Sequence, residues 1–463
     1  MANTSSKPIA VLHAWSGERL RSLLVVALGL ETLAAVAITT YLAQEAAISS
    51  GLALLMLMVP LAATTIGVVF IRAAPATRFL LLPTALALNL IGLFVLAVEA
   101  PAFAYLQCFW SLLSLGAYSG VALCAGDEDR LDRLSVPLFS LALALVLLTF
   151  VVGVNPSGGP HKQWLAVGPF YFEPSELLKL SLTLLLALTL ARPSSGSRRS
   201  WVLPAIGVSL AVLAAQGDLG AAFVVAGVGA LMIFAATGRW KGLVLGIVAL
   251  AAAGSVAYLL LPYVRLRFIT WLDPWSDPTG ASYHVVQSLR ALAAGGALGR
   301  GLLAPDTVHV PAAHTDSIIA PIGERLGLAG TLLTLGLYGV LLAQIRQTYL
   351  QARTHLEALL ATGVASLLIG QAVLITGGTS GLLPLTGVTL PLVSYGGSSL
   401  LMSYLALGMV GSRNGRHQQG VPTSRRRSHD LVHLALGMAL GILVLWLSAW
   451  HLAGTAIIAR LEG

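Results

Sequence analysis

Residues 79–98 read FLLLPTALALNLIGLFVLAV and carry no charged side chain over twenty positions. A helix of this length spans about 30 Å, which matches the hydrocarbon thickness of a bilayer. The run lacks the alternation of apolar and polar residues that marks a strand of a membrane barrel. Similar runs recur along the 463 residues, of which 57% are hydrophobic and 10% are charged, with a mean hydropathy of +0.85. The composition therefore predicts an all-α protein that crosses a membrane many times.

Thirteen stretches are long and apolar enough to be predicted as membrane-spanning helices. Two of them, at 201–216 and 219–237, are short and nearly continuous, so their boundaries are approximate. No cleavable signal peptide is evident before the first stretch, which is therefore expected to remain as a helix. The thirteen predicted spans are 22–44, 50–72, 79–98, 102–124, 134–154, 174–192, 201–216, 219–237, 242–263, 316–345, 356–378, 390–412 and 431–453.

Lysines and arginines are distributed unevenly over the segments between these spans. With the N-terminus placed in the cytoplasm, nineteen of them fall in inner segments and six in outer segments. This positive-inside bias predicts a cytoplasmic N-terminus, an extracytoplasmic C-terminus, and outer positions for 153–173, 265–315 and 377–391. The net charge of +8 is thus explained by topology, and no nucleic-acid partner is expected.

Charged side chains inside the predicted spans are costly in lipid and are candidates for function. Glu176 and Lys179 lie three residues apart on one helix face, where a structural ion pair is an equal alternative. Asp218 stands at the outer junction of two spans, and a helix cap is its simpler interpretation. Glu324 is expected to pair with an arginine.

Asp316 stands at the end of a loop over 265–315 that is rich in Asp, His, Arg, Trp and Gly. It opens the span 316–345 directly after His314 and Thr315, so it fits either a helix cap or a reactive carboxylate. A helix N-terminus would lower the pKa of this carboxylate, which suits a metal ligand or a base. The residues alone leave both interpretations open.

Two further segments bear on the kind of site. Gly and Pro are dense in 377–391, which favours broken-helix backbone that lines a cavity. The run Ser394–Ser399 favours close helix packing, with pore lining as the alternative. Motifs of phosphate-binding loops, zinc proteases and serine hydrolases are absent from the sequence.

Several short motifs, taken in their order and spacing, resemble the SEDS family of bacterial membrane proteins (shape, elongation, division and sporulation), of the RodA and FtsW type. The motifs are Pro174-Ser175-Glu176 with Lys179, Asp218-Leu219-Gly220, the run from Trp271 to Pro278 with Gly280, Tyr283 and Gln287-Ser288, then His314-Thr315-Asp316, Gly323-Glu324 with Leu326-Gly327, Gly381 to Gly387, and Val393 to Ser399.

The resemblance covers roughly residues 79–412 and implies a ten-helix core with a large extracytoplasmic loop at 265–315. Residues 1–78 would then hold a cytoplasmic N-terminus and two additional helices. A basic cytoplasmic linker over 413–430 and a C-terminal helix within 431–463 would follow the core.

The resemblance also implies an activity, which is polymerisation of lipid II, the undecaprenyl-diphosphate-linked disaccharide peptide, into glycan strands of peptidoglycan. The family's essential carboxylate matches Asp316, which would act as the general base and hold a divalent cation, Mg²⁺ or Mn²⁺. An α-linked donor that becomes a β-1,4 bond is inverted at its anomeric carbon, so one displacement without a covalent enzyme intermediate suffices. The site would lie at the outer face of the bacterial cytoplasmic membrane.

Two other functions remain open at this stage, a lipid II flippase and a non-catalytic scaffold of the cell-wall synthesis complex. Expected partners are lipid II, the growing glycan strand, a class B penicillin-binding transpeptidase and other membrane proteins of that complex. A role in elongation and one in division fit equally.

Candidate substrate-binding residues are those of the matched motifs and the cations of the outer segments. Lys162, Lys179, Arg265 and Arg267 are the candidates to compensate the charge of the diphosphate. The full set is Lys162, Trp164, Glu176, Lys179, Asp218, Arg265, Arg267, His314, Glu324, Ser394 and Ser398.

The chain departs from the family pattern at several positions. Gln163 stands where an arginine is usual, and Lys162 precedes it. Glu173 replaces a usual glutamine, Gly217 a usual proline and Arg325 a usual second glutamate. Gln163 matters most, because one contact to the diphosphate is lost there unless Lys162 supplies it.

Overall fold

The computed structural model describes residues 17–73, 79–124, 128–156, 158–159, 161–168, 170–192 and 200–414. These residues form fourteen α-helices and one antiparallel hairpin. The helices are α1 Gly17–Gln44, α2 Ser50–Ala73, α3 Leu82–Glu99, α4 Pro101–Cys124, α5 Glu128–Val152, α6 Pro174–Ala191, α7 Val202–Ala215, α8 Leu219–Thr237, α9 Trp240–Leu260, α10 Pro262–Leu272, α11 Tyr283–Gly295, α12 Ile319–Gln351, α13 His355–Thr379 and α14 Gly397–Asn414; the hairpin pairs β1 Leu165–Val167 with β2 Phe170–Phe172.

Ten of the described helices are long and apolar enough to cross a membrane, and α7 and α14 are shorter apolar helices. Together these twelve correspond to the first twelve predicted spans, so the all-α polytopic fold is confirmed. The thirteenth predicted span, at 431–453, lies outside the described residues, as does the linker predicted at 413–430 apart from its first two positions.

Helix α3 forms the centre of the bundle, since every residue from Leu82 to Ala97 is buried. Its position depends on Gly92, because a Cβ atom there would lie 2.0 Å from the carbonyl oxygen of Val393. A glycine lets the helix backbone touch the segment that leads into α14. The apolar run that predicts the membrane fold is thus also its most enclosed element.

Three predicted boundaries are wrong, and each has a local cause. The span 242–263 ends at Leu260, because Pro262 starts the separate helix α10. The span 390–412 becomes helical only from Gly397, after Leu392 takes a φ of 71°. Helix α12 begins at Ile319 rather than at Asp316, because residues 311–318 form turns.

About half of the predicted outer loop 265–315 is helical. It contains most of α10, a 3₁₀ turn at Pro274–Ser276 and all of α11. Helix α11 lies against α12 so closely that a Cβ atom on Gly295 would come within 1.9 Å of the Gly323 carbonyl oxygen. This contact fixes α11 against the bundle, and a hydrogen bond from Trp271 Nε1 to the Gly381 carbonyl oxygen at 3.0 Å ties α10 to the segment that follows α13.

Candidate active site

The central cavity has a volume of about 630 Å³ and lies among the ends of α4, α6, α8, α10 and α14. Its walls include parts of the segments 153–173, 312–316 and 386–389, which sequence patterns place on one side of the membrane. The charged lining residues are Glu173, Glu176, Lys179, Asp218, Arg267 and Asp316. A cavity with so many ionisable groups beside membrane-spanning helices is a strong candidate for function.

Asp316 lies in the turns before α12 and faces this cavity. It is not the cap of α12, because Ile318 holds the cap position without any side-chain hydrogen bond. The expected lowering of its pKa is also wrong. Burial raises the pKa of Asp316 to about 6, a hydrogen bond from Thr315 and the Arg267 guanidinium lower it in part, and Asp218 raises it. The carboxylate is therefore largely ionised at neutral pH and able to accept a proton.

Arg267 of α10 approaches Asp316 across the backbone of Gly387. Its Nη1 donates a hydrogen bond to the Thr386 carbonyl oxygen at 3.2 Å. A Cβ atom placed on Gly387 would lie 3.6 Å from Asp316 Oδ2 and 3.9 Å from Arg267 Nη2. Arg267 thus supplies a positive charge beside the carboxylate from the loop that follows α9.

A second charged group lies at the start of α6. Lys179 Nζ pairs with Glu176 Oε1 at 2.8 Å, and both side chains are almost fully buried. Asp218 caps α8 by accepting a hydrogen bond from the Ala221 N–H at 2.9 Å, and it also lines the cavity. The two simple interpretations of the sequence, an ion pair and a cap, are both confirmed. Neither removes these residues from the cavity wall.

Hydrogen bonds from residues 394 and 395 hold the segment that carries Asp316. The Tyr395 N–H donates to the His314 carbonyl oxygen at 2.8 Å. Ser394 Oγ donates to the Thr315 carbonyl oxygen at 2.6 Å, so its side chain supports the site from behind. Rings complete the wall, since Phe103 stacks on His314 with centroids 4.4 Å apart and an angle of 10° between the planes.

Eight of the sequence-predicted residues meet in the central cavity, and four do not line it. The eight are Trp164, Glu176, Lys179, Asp218, Arg267, His314, Asp316 and Ser398. Lys162 and Arg265 are exposed, and Arg265 instead donates to the Leu259 carbonyl oxygen at 3.1 Å. Ser394 and Glu324 lie behind the wall.

Glu324 belongs to a network of ion pairs next to the cavity. Its Oε1 accepts from Arg300 Nη1 at 3.0 Å and from the Val308 N–H at 2.9 Å. The adjacent Arg325 pairs its Nε with Glu99 Oε1 at 2.6 Å and donates to the Leu302 carbonyl oxygen. The expected pairing of Glu324 with an arginine is confirmed, and its predicted contact with substrate has no support in this arrangement.

Among the cavity-wall residues that sequence reasoning missed, three adjoin Asp316 or His314. Gly387 and Tyr395 lie inside motifs that the sequence singles out, but nothing in those motifs indicated a contact with Asp316 or His314. Phe103 carried no signal, because one phenylalanine in an apolar helix is ordinary.

The donor set of the cavity decides how it could hold a divalent cation. Within the described ranges, no group of three or more His, Cys, Asp or Glu side chains is arranged to hold a metal ion. A binding site made of protein ligands alone is therefore not formed there. One or two carboxylates together with substrate phosphates and water are the ligands that Mg²⁺ commonly takes, and Asp316 fits such a shared site.

Comparison with known proteins identifies the group to which this chain is related. The sequence pattern of the FtsW, RodA and SpoVE family, described as cell cycle proteins, matches residues 54–418. The chain belongs to this family. The SEDS resemblance is thereby confirmed, and the protein is a multi-pass membrane protein.

Two relatives illustrate the similarity in sequence. The chain is 34% identical over 374 residues to the peptidoglycan glycosyltransferase RodA of Mycobacterium tuberculosis strain H37Rv. This alignment covers 73% of this chain and 78% of the relative. It is also 34% identical over 309 residues to the probable peptidoglycan glycosyltransferase FtsW of Geobacter sp. strain M18, covering 65% and 84%.

Solved structures show the same fold. A chain from a peptidoglycan synthase complex that coordinates polymerization and crosslinking superposes with a TM-score of 0.62 at 31% identity, over 72% of this chain and 96% of that one. RodA of Thermus thermophilus superposes with a TM-score of 0.53 at 28% identity, over 73% of this chain and 96% of that one.

The departures from the family pattern have different consequences in the folded protein. Burial raises the pKa of Glu173 to about 8, and Glu176 and Asp218 raise it as well, so this side chain is mostly neutral at pH 7, as the usual glutamine would be. Gly217 has a φ of +79°, which proline cannot adopt, and the His161 ring fills the space where a Cβ atom would lie. Gln163 lines the cavity while Lys162 is exposed, so the missing arginine is not replaced from the adjacent position.

Proposed function

We propose that this protein is a peptidoglycan glycosyltransferase that polymerises lipid II, with Asp316 as its general base. The observation that carries the proposal is the ionisable carboxylate of Asp316 in a cavity that also holds Arg267 and Lys179. The named relatives, which are peptidoglycan glycosyltransferases of the RodA and FtsW type, support the reaction class.

The proposed reaction needs one base and compensation of one leaving group. Asp316 takes the proton of the acceptor's 4-hydroxyl as that oxygen forms a bond to the anomeric carbon of the donor. The bond from this carbon to the diphosphate oxygen breaks, and the lipid diphosphate leaves with the electron pair. Arg267 and Lys179 are the lining cations that can stabilise the charges that develop. No covalent intermediate on the protein is required.

A divalent cation is proposed as the cofactor. Asp316 would hold it together with oxygens of the substrate diphosphate, since the described residues offer no site of three protein ligands. When bound, it would neutralise negative charge on the leaving diphosphate.

The cavity is proposed to open on the extracytoplasmic side of the bacterial cytoplasmic membrane. The support is the positive-inside bias, which puts 153–173, 265–315 and 377–391 on the outer side. A class B penicillin-binding transpeptidase is the proposed partner, since one structural relative comes from a complex that couples polymerization to crosslinking.

Exchange of Asp316 for asparagine tests the proposed base. Asp316→Asn keeps the size of the side chain and removes its ability to take a proton. With purified protein, lipid II and Mg²⁺ in detergent, we expect polymerisation to fall by about 10³-fold or more, in the range for loss of a base and its charge. Asp273→Asn is the matched control, because Asp273 is an exposed carboxylate of the same loop outside the cavity lining. Polymerisation by Asp316→Asn at the wild-type rate would refute the proposal.

The same assay separates the alternatives considered from the sequence. Detergent micelles have no opposed leaflets, so a flippase or a scaffold alone would make no glycan polymer there. Polymer formed by the purified wild-type protein would thus contradict both.

Removal of divalent cations tests the cofactor. We expect EDTA to abolish polymerisation and added Mn²⁺ or Mg²⁺ to restore it, because the leaving diphosphate would otherwise carry uncompensated charge. Thermal unfolding should change little with EDTA, since the protein itself contributes few ligands. Full activity in EDTA would remove the cation from the proposal.

A further inference from the structure

The space above Gly387 is bounded by two groups of opposite charge that do not touch each other. Asp316 Oδ2 and Arg267 Nη2 both lie within 4 Å of the point where a Cβ atom on Gly387 would stand. Both residues are among those described, yet they form no ion pair within 4.0 Å. Gly387 is exposed, so the gap between the two groups is open to the cavity.

The floor of this gap is held in place from two sides. Arg267 Nη1 donates to the Thr386 carbonyl oxygen at 3.2 Å. From below, a Cβ atom on Gly220 of α8 would lie 2.7 Å from the same oxygen, so the helix backbone is in close contact with it. Gly387 itself has a φ of +72°, a backbone conformation that side chains with a Cβ rarely adopt. The backbone here cannot move aside easily to accept a larger residue.

The chemistry of the two groups selects what fits between them. A carboxylate accepts hydrogen bonds and a guanidinium only donates them. A hydroxyl does both, so it can donate to Asp316 Oδ2 while its oxygen accepts from Arg267 Nη2. An oxygen of an ionised phosphate cannot donate and, without a cation between the two groups, is repelled by the carboxylate.

We propose that this gap, the Gly387 gap, binds the acceptor's hydroxyl, and that Gly387 is the positioning residue that keeps it open. The inference rests on the proposed function and assigns Arg267 to the attacking oxygen rather than to the diphosphate. Arg267 donates a hydrogen bond to that oxygen and leaves its other lone pair facing the anomeric carbon of the glycosyl donor. Asp316 receives the hydroxyl proton as the oxygen forms its bond to that carbon. The missing side chain at position 387 is what lets the hydroxyl reach both groups.

Substitutions at Gly387 and Gly381 test this role with a matched control. Gly381 begins the same segment with a φ of +75°, but a Cβ atom there would meet only Leu289 at ordinary contact distance, 3.6 Å. Alanine at either position introduces the same backbone strain, whereas only Gly387→Ala fills the gap. We expect kcat of Gly387→Ala to fall by about 100-fold, the size of effect known for a small misplacement of reacting groups. The Kd for lipid II should stay within about threefold, since the rest of the substrate is held elsewhere in the cavity.

Asparagine separates strain from occupancy of the gap. Asparagine tolerates a positive φ better than alanine but is larger. If the gap matters, Gly387→Asn is less active than Gly387→Ala, whereas Gly381→Asn is at least as active and as stable as Gly381→Ala. Thermal unfolding of each variant in detergent reports on the fold.

The outcomes distinguish this inference from the proposed function. Equal kcat for the Gly387 and Gly381 variants, recovery of activity in Gly387→Asn, or loss of folding in both Gly387 variants alone would overturn the role of the gap. In those cases the wild-type protein still polymerises lipid II. If the wild-type protein and the Gly381 variants make no polymer at all, the proposed function fails and this inference fails with it.

Discussion

Two clusters of charged residues adjoin the turns at 311–318, and they differ in how their carboxylates are hydrogen-bonded. In the cluster behind the cavity, Glu324 accepts from Arg300 and from the Val308 N–H, and Arg325 pairs with Glu99. In the central cavity, Thr315 is the one side chain among the described residues that acts on Asp316 as a hydrogen-bond donor, and it lowers the pKa of this carboxyl only in part.

The difference separates a structural carboxylate from a chemical one, although the two residues are only eight positions apart. The Glu324 carboxylate already accepts from a fixed arginine and a fixed backbone N–H, so it has less capacity for a ligand, and it stabilises the fold mainly by leaving no charge unpaired. A carboxylate that faces an open cavity with a raised pKa keeps its capacity for hydrogen bonds and protons. The role of a carboxylate in this protein therefore depends more on how many hydrogen-bond donors surround it than on its position along the chain.

The largest effect that this comparison predicts concerns folding. Glu324→Ala removes the buried acceptor of the Val308 N–H and of Arg300, whose own side chain is exposed, and each hydrogen bond to a charged group is worth about 1.5–3 kcal/mol. We expect a marked fall in the unfolding temperature and in the yield of folded protein, measured by thermal unfolding in detergent. Asp316→Ala should not show this fall, because removal of this carboxylate leaves no ion-pair partner without its acceptor. Unchanged stability of Glu324→Ala would contradict the distinction between the two clusters.

At Arg267 we expect a large loss of activity and little loss of stability. Arg267→Gln keeps a polar side chain with N–H donors but removes the charge beside Asp316. We expect kcat/KM to fall by about 10²-fold, the typical loss when one stabilising donor at a reacting oxygen is removed. The unfolding temperature should change little, since Arg267 forms no ion pair with another described residue.

Arg265 supplies the control for this prediction. It lies two residues away on the same helix, is exposed and donates to the Leu259 carbonyl oxygen outside the cavity. Arg265→Gln should keep nearly full activity. Equal losses in the two variants would mean that the charge of α10 as a whole, and not its contact with Asp316, matters.

Much of this arrangement could be predicted from the sequence, and the rest could not for local reasons. Hydropathy predicted twelve spans that the described helices bear out, because the cost of exposing backbone to lipid leaves no other structure. The matched motifs supplied Asp218 and Asp316 as candidates, the outer loop supplied Arg267 as a candidate cation, and all three line the cavity.

The errors came from backbone turns, long-range contacts and side-chain directions that no sequence motif encodes. A helix cap was one of the two interpretations of Asp316, and it is wrong because the turns at 311–318 delay α12 to Ile319. The empty space above Gly387 arises from three segments that are distant in sequence, so no local pattern could reveal it. Lys162 was a candidate cation, yet its side chain is exposed whereas Gln163 lines the cavity.

The smallest expected effect concerns Lys162 and Gln163. It tests whether a cation acts on the substrate only when it lines the cavity. Gln163→Arg adds to the cavity the cation that the family usually has, and a hydrogen bond to a charged group is worth about 1.5–3 kcal/mol before the cost of ordering the side chain. We expect roughly tenfold tighter binding of undecaprenyl diphosphate to the purified protein. Lys162→Ala is the matched control and should bind as the wild type does, because an exposed charge is screened by solvent. Weaker binding in Lys162→Ala, with no gain in Gln163→Arg, would show that the exposed lysine turns inward to hold the diphosphate and that the cavity lacks no cation.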